Sequence, residues 1–336
     1  MFIEKIDIQK ILNSNDKDII LNYAEKKRNY TSEKDLIKLE DAIIAIGDAE
    51  YIYKFAKNVK GANVPKLEEV IIATKNAEYI YKFASYVKGA NVPKLEETIL
   101  AIGDAKYIFN FAWFVEGANV PKLEEAILAI GDASYICDFA LYVKGADIEK
   151  LEDAIIKTGD IDSIYRYGTS DKANRAKFEE AIIKSGAAEY IYEFAYAMEE
   201  IDVPKFEDAI ISTGDAKYIC YFAEDVKEAN VLKLEEVILK INDPVYIIYF
   251  ASHVKYANIE KAEDAIIATE DAKNILNFAK GVEKVDVSKI QEVLVKIASK
   301  EVLQEFRTLI KQREKEQKKR EELQKEEFKQ YFIFNK

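Results

Sequence analysis

The side chains that could do chemistry in this chain are its many carboxylates, one histidine and two cysteines. Acid pairs recur along it, among them Glu68-Glu69, Glu96-Glu97, Glu124-Glu125 and Glu235-Glu236. Acid–base catalysis by two carboxylates needs dissimilar environments, so that one keeps its proton while the other ionises. Here each pair is copied from segment to segment without a specialised partner, which argues against catalysis. Two readings of the pairs stay open. They can favour the positive ends of helices and keep an edge soluble, or they can form an anionic strip for a basic partner. The sharper form of the second is mimicry of a nucleic-acid backbone inside a basic groove. His253 stands alone, with neither a metal-ligand cluster nor a nucleophile to activate. Gly-Asp dipeptides occur singly and read as helix punctuation, not as phosphate-cradling loops. No catalytic, cofactor or metal site is assigned, and the chain reads as a non-enzyme.

The elements that carry these residues form a tandem array. Aligned on Lys38, Lys66, Lys94, Lys122, Lys150, Lys177, Lys205, Lys233, Lys261 and Lys289, the chain steps by 28 residues, except for 27 between Lys150 and Lys177. The unit is K-L-E-E-A-I-I-A-I-G-D-A-x-Y-I-Y-x-F-A-x-x-V-K-G-A-N-V-P, numbered below from the lysine as position 1. Positions 2, 5, 6 and 9 (Leu123, Ala126, Ile127, Ile130) predict the buried stripe of a first helix. Positions 15, 18, 19 and 22 (Ile136, Phe139, Ala140, Val143) predict that of a second. Gly131 should stop the first helix and Asp132 cap the second, while Asn119 caps the next unit with Pro121 in its opening turn. Such short helices are unstable alone and must stack. The expected fold is all-α: an elongated, right-handed α-solenoid of about ten helix pairs. Residues 1–37 read as a degenerate capping unit with a polar stretch at Lys26–Asn29, residues 38–288 as nine repeats, and residues 289–336 as a capping unit. The last of these holds a charge-mixed helix, with Lys315, Lys318, Lys319 and Arg320 interleaved among glutamates, and an apolar tip, Tyr331–Phe334. That tip either folds back onto the last unit or joins two chains. Cys137 and Cys220 share position 16 but lie three units apart. At about 10 Å per helix layer they are beyond disulfide reach and stand in for packed aromatics.

In a repeat protein, function belongs where surface positions differ between units. At positions 20 and 21 large apolar residues gather in consecutive units: Tyr86, Trp113, Phe114, Leu141 and Tyr142, with Trp113 the only tryptophan. Aromatic residues dominate interface hot spots, so these five are candidate partner-binding residues; the alternative is packing against the neighbouring unit. A second, more scattered group is Tyr221, Ile248, Tyr249 and Tyr256. The 150–176 unit has Ser163 for the usual tyrosine and Gly168 for alanine, and carries a basic stretch with Arg166, Lys172 and Arg175. It reads as a hinge, a loop for an acidic or phosphate-bearing partner, or an eroded repeat.

The string Y-I-Y-x-F-A-x-x-V-K-G-A-N-V-x-K-L-E resembles the 28-residue tyrosine-rich tandem repeats of uncharacterised proteins from AT-rich bacteria and their mobile elements, over about Lys38 to Ser288. The abundance of Lys, Ile, Asn and Tyr fits such a genome. Some repeat-rich proteins of those elements are similar to inhibitors of host defence, anti-CRISPR proteins included, so the resemblance adds that role without supplying a site motif. With 61 acidic against 49 basic side chains, a net charge of −12 disfavours broad nucleic-acid binding and suits a basic partner. No apolar run spans a bilayer and no secretion signal opens the chain, so the default is a cytoplasmic location. The partner is then another protein: either one bound by a scaffold or adaptor, or a basic nucleic-acid-binding enzyme, such as an RNA-guided nuclease, that the chain inhibits.

Overall fold

The computed structural model describes residues 8–26 and 32–334, with side chains to residue 325. All secondary structure among them is helical. The chain divides into two compact units, Met1–Phe178 and Glu179–Lys336. The first contains α1 (Ile8–Asn13), α2 (Lys17–Lys26), α3 (Glu33–Ile46), α4 (Ala49–Asn58), α5 (Val64–Ala73), α6 (Ala77–Tyr86), α7 (Val92–Ile102), α8 (Ala105–Phe114), α9 (Val120–Ile130), α10 (Ala133–Tyr142), α11 (Ile148–Thr158) and α12 (Ile161–Gly168), and the start of α13 (Arg175–Ser185). The second continues with α14 (Ala188–Ala197), α15 (Val203–Thr213), α16 (Ala216–Asp225), α17 (Val231–Ile241), α18 (Pro244–His253), α19 (Ile259–Ile267), α20 (Ala272–Gly281), α21 (Val287–Ile297) and α22 (Lys300–Phe334). Within each unit the second helices pack side by side, α4 on α6, α8 and α10 in turn and α14 on α16, α18 and α20. Each also packs on the first helix of the following repeat, as α10 does on α11. This is an α-solenoid of two-helix repeats.

Local signals account for the helix ends. Gly131 closes α9 at φ +77°, and Asp132 accepts hydrogen bonds from the backbone N–H groups of Ser134 and Tyr135 at the start of α10. Asn119 accepts from Lys122 N–H, with Pro121 in the first turn. The second-helix stripe is core throughout: Ile136, Phe139, Ala140 and Val143 are all buried. Position 16 is packed too, and both Cys137 and Cys220 are buried there. The first-helix stripe differs from expectation. Leu123 and Ile127 are buried, but Ile130 at position 9 is 42% exposed, and the buried neighbour of Leu123 is instead Glu124.

That glutamate is the hinge of the packing scheme. The position-3 carboxylates Glu40, Glu68, Glu96, Glu124, Glu152, Glu207, Glu235 and Glu263 are all buried. Each accepts the backbone N–H of the next repeat's N-cap residue (Asn63, Asn91, Asn119, Asp147, Asn174, Asn230, Asn258 and Asp286, respectively) at 2.5–2.8 Å. At five of these joints the following position-1 lysine approaches the same carboxylate, Lys233 to 2.9 Å from Glu207 and Lys66 to 3.3 Å from Glu40. An N–H at an N-cap has no intrahelical acceptor. The buried carboxylate supplies one and gains a charge-assisted bond plus an ammonium neighbour in exchange for its lost hydration.

At the N-terminus, α1 and α2 form a pair in which Ile20, Leu21 and Ala24 are buried. Ser32 caps α3, which therefore starts ahead of Lys38. The polar stretch expected at Lys26–Asn29 lies outside the described residues beyond Lys26. At the other end α22 is a single 35-residue helix, anchored by buried Phe306, by Glu305 on Lys280 at 2.8 Å and by Arg313 donating to Lys280 carbonyl at 3.1 Å. The tip side chains Tyr331–Phe334 lie outside the described side chains.

The 150–176 unit is repacked. Its second helix, α12, has 8 residues, two fewer than α10. Tyr167 takes the core phenylalanine position and is fully buried, its ring 5.1 Å from Phe178. A Cβ on Gly168 would lie 2.9 Å from Phe178 Cβ. Position 2 of the next repeat is leucine in most units and phenylalanine here, and the missing alanine methyl makes room for that ring.

Two outcomes follow from this packing. Glu124→Ala strands the Asp147 amide and should destabilise the joint by about 1–3 kcal/mol, while Glu124→Gln, which retains an acceptor, should cost less than half as much. Hydrogen exchange reads this locally: Asp147 amide protection should fall while that of Asn91 stays. Gly168→Ala should cost about 1–3 kcal/mol by overpacking, and adding Phe178→Leu should restore most of it in denaturant unfolding, because the pair then matches Ala140 and Leu151.

Candidate binding surface on the second helices

Because second helices repeat every 28 residues and lie side by side, position 16 of one unit faces position 14 of the next. Tyr53–Tyr79 and Tyr81–Tyr107 (6.0 Å between ring centroids) and Phe109–Tyr135 (6.3 Å) are such contacts. On this ring course, positions 20 and 21 of α6, α8 and α10 add the surface aromatics. Trp113 packs on Phe114 at 4.6 Å, on Tyr142 at 5.2 Å with ring planes 25° apart, and on Phe109 at 5.3 Å. Phe114 stacks on Tyr81 at 6.5 Å, and Tyr142 approaches Phe109 at 6.4 Å.

The structure therefore brings Trp113, Phe114 and Tyr142 together and leaves all three about half exposed, at 47%, 47% and 48%. They are neither core nor free. Leu141 lies half-buried beside Tyr142. Tyr86 holds the same repeat position as Phe114 and Tyr142 and is 52% exposed, but among the described residues its ring contact is the Lys57 ammonium at 4.7 Å rather than another ring. The supporting rings Tyr81 and Phe109 were not singled out from sequence. Their signal was available, since position 16 precedes position 20 by one helical turn.

The basic stretch is engaged within the first unit. Arg166 donates to Asp138 at 2.8 Å and to the Ser134 carbonyl at 3.0 Å, and Lys172 donates to the Leu141 carbonyl. Both groups thus fasten the short α12 and its loop to α10, next to the aromatic cluster. Arg175 is the first residue of α13.

In the second unit the aromatic course is continuous over α14, α16 and α18. Tyr192 contacts Tyr196 at 6.0 Å and Tyr221 at 5.7 Å, Tyr221 contacts Tyr249 at 5.6 Å, and Tyr249 stacks on His253 at 4.2 Å with planes 14° apart. Tyr192 donates its hydroxyl to Asp225, and Tyr249 to Glu224, both at 2.7 Å. Burial, reinforced by these carboxylates, pushes both phenols above the ordinary tyrosine range, so they stay protonated donors. Tyr221 and Tyr249 were read as scattered, and Tyr192 and Tyr196 were missed. Ile248 and Tyr256 do not join the ring series; Tyr256 projects 78% exposed under the Lys255 ammonium.

The acidic edge has a divided structure. At the eight joints above the first acid is the buried cross-link and the second is exposed; at four of them the second lies close to the next unit's lysine, Asp41 to Lys66 at 2.5 Å, Asp153 to Lys177 at 2.6 Å, Asp208 to Lys233 at 2.5 Å, and Asp264 to Lys289. Burial pushes the Cys137 thiol up to about 11 and the Cys220 thiol up to about 12, away from the nucleophilic thiolate. Among the described residues no group of three or more His, Cys, Asp or Glu could hold a metal ion, and no helix is long and apolar enough to cross a membrane.

No protein-family model matches this sequence, and no curated protein does. Solved structures with similarity include a circular tandem repeat protein with novel repeat topology, at 8% identity and TM-score 0.15 over 93% of this chain and 75% of that one. A de novo designed helical repeat protein matches at 14% identity and TM-score 0.10, covering 95% of this chain and 100% of the design. A chain from a study of designed self-assembling cyclic homo-oligomers matches at 16% identity and TM-score 0.11, over 93% of this chain and 96% of that one. At these scores the α-solenoid assignment rests on the helices and caps described above.

Proposed function

We propose that this chain is a protein-binding α-solenoid, a scaffold or adaptor, whose contact surface is the aromatic cluster of α6, α8 and α10. The observation that carries this reading is Trp113, held against Phe109, Phe114 and Tyr142 and yet 47% exposed. Rings fixed by their neighbours lose little further freedom on binding, so the apolar area that a partner covers converts to affinity with a small entropic cost. The stacked helices below hold the cluster in register.

The alternative is a mobile-element inhibitor that lays its acidic edge into the basic groove of a defence enzyme, such as a CRISPR RNA-guided nuclease. The net charge of −12 favours a basic partner. The edge itself gives less support, because at eight joints one acid of the pair is buried against backbone, and at several its neighbour faces a lysine. An inhibitor acting through the aromatic cluster would be a special case of the first reading.

The test uses the only tryptophan as its own reporter. Affinity capture from a nuclease-treated lysate is run with the wild type, with Trp113→Ala and with Leu232→Ala, a control in the other unit that is 63% exposed. A partner should be retained by the wild type and the control. Trp113→Ala should lose about 2 kcal/mol or more, roughly thirtyfold in affinity, with helicity unchanged. The purified partner should shift Trp113 emission to the blue, and the affinity should vary little with salt. A partner held equally by Trp113→Ala, or released steeply by salt, places the contact elsewhere.

A further inference from the structure

The second unit carries a site of different chemistry. In the first unit, tyrosines along the second helices are served by the chain's own lysines. Lys54 lies 5.0 Å over Tyr51 while paired to Glu50 at 2.7 Å, and Lys82 lies 4.9 Å over Tyr79 while paired to Glu78 at 2.5 Å. Lys57 lies over Tyr53 and Tyr86. The Lys54 and Lys82 groups are complete, with an acid, a cation and an aromatic face, while Lys57 donates to the Tyr53 hydroxyl instead.

In α16 and α18, position 17, which is Lys54 in α4 and Lys82 in α6, is instead Tyr221 and Tyr249. The acids remain, displaced to the exposed Glu224 and Asp225 at the end of α16. Each takes one phenol hydroxyl on one carboxylate oxygen, Glu224 from Tyr249 and Asp225 from Tyr192, and each keeps a second oxygen. Around them run the faces of Tyr192, Tyr196 (64% exposed), Tyr221, Tyr249 and His253. Two of the three components are thus in place, and among the described residues no lysine or arginine forms an ion pair with Glu224 or Asp225. The ridge's own Lys217 lies at the margin, 4.6 Å over Tyr218 and 5.7 Å over Tyr221, which shows that these rings accept positive charge.

We infer that the ridge formed by α14, α16 and α18 binds an arginine-bearing basic segment of a partner protein, with guanidinium groups stacked on the tyrosine faces and hydrogen-bonded to Glu224 and Asp225. Arginine fits better than lysine on geometry. A planar guanidinium can lie flat on a ring while its edge donates two parallel N–H bonds to a carboxylate, whereas an ammonium is a strongly hydrated point charge. The negative net charge of the chain draws such a segment in.

The probe is a fluorescently labelled hexa-arginine peptide titrated into the full chain at about 0.15 M ionic strength, with hexa-lysine in parallel. Hexa-arginine should bind several-fold more tightly than hexa-lysine. Glu224→Gln with Asp225→Asn should weaken it about tenfold, and Tyr196→Ala about fivefold, within the range of one or two exposed cation–π and charged contacts. Glu236→Gln with Glu270→Gln removes the same charge from exposed positions elsewhere and should leave the affinity within about twofold. Trp113→Ala should bind the peptide as the wild type does, which keeps this test separate from that of the aromatic cluster. Equal affinity for hexa-lysine, or equal losses in the two double variants, would reduce the site to diffuse charge attraction and overturn the inference. So would self-association abolished by the same ridge variants without peptide binding, which would make a second copy the occupant.

Discussion

One hydrogen bond sets the frame: a buried position-3 carboxylate accepting the N-cap N–H of the next repeat. It links two repeats at a point where the backbone would otherwise leave a donor unpaired. The N-cap residue is used twice, since its side chain also accepts the N–H three residues on, as Asn119 does for Lys122. The spacing from glutamate to N-cap is 23 residues in all but one of these joints, and 22 at Glu152–Asn174. The deletion is therefore absorbed in the Thr169–Asn174 loop without losing the bond. An inserted or lost residue is tolerated where the chain turns, provided carboxylate and amide still meet. At the last first helix the position holds Gln291, which is exposed, and α22 follows instead of another capped repeat. Where no amide awaits, no buried charge is present.

The sequence made the array, the caps and the second-helix core legible, because period, apolar stripe and punctuation agreed through most repeats. It misled at position 3, since charged residues are almost never fully buried unless paired. The partner here is a backbone N–H 22 or 23 residues away, and backbone groups leave no letter in a sequence. The same blindness explains position 9. Counting Ile130 into the stripe satisfied the i, i+3, i+4, i+7 pattern, but the buried arc is narrower and turned toward Glu124. The irregular unit was legible as irregular and not as repacked. Gly168 and Phe178 look like independent departures until the structure shows them within one van der Waals contact.

The candidate surfaces were half legible for a related reason. Position 21 drew attention because its residues are large and unusual there, whereas Tyr81 and Phe109 were taken for ordinary repeat residues. Stacked second helices make residues 26 apart into ring neighbours, as in Tyr53–Tyr79 and Tyr81–Tyr107. Both surfaces are therefore built from two classes of side chain. The regular aromatic course gives support, and departures at positions 17, 20 and 21 give each stretch its chemistry. The first unit gains apolar area at Trp113, Phe114 and Tyr142, and the second gains carboxylates at Glu224 and Asp225.

An exposed aromatic surface is an association liability as well as a binding device. Here the liability is limited by how the rings are held. Trp113, Phe114 and Tyr142 are each about half covered and in contact with neighbouring rings, so the patch offered to solvent is smaller than the count of aromatics suggests. In the second unit the Tyr192 and Tyr249 hydroxyls are tied to Asp225 and Glu224, which places charge at the rim of the ridge. The excess of acids across the chain adds like-charge repulsion between copies, which weakens as salt rises. For the two proposed surfaces, a partner would bring what a second copy lacks: a shape that covers Trp113 at one, and positive charge at the other. On the proposed reading, the same excess of acidic over basic side chains that opposes self-association would also favour a basic partner.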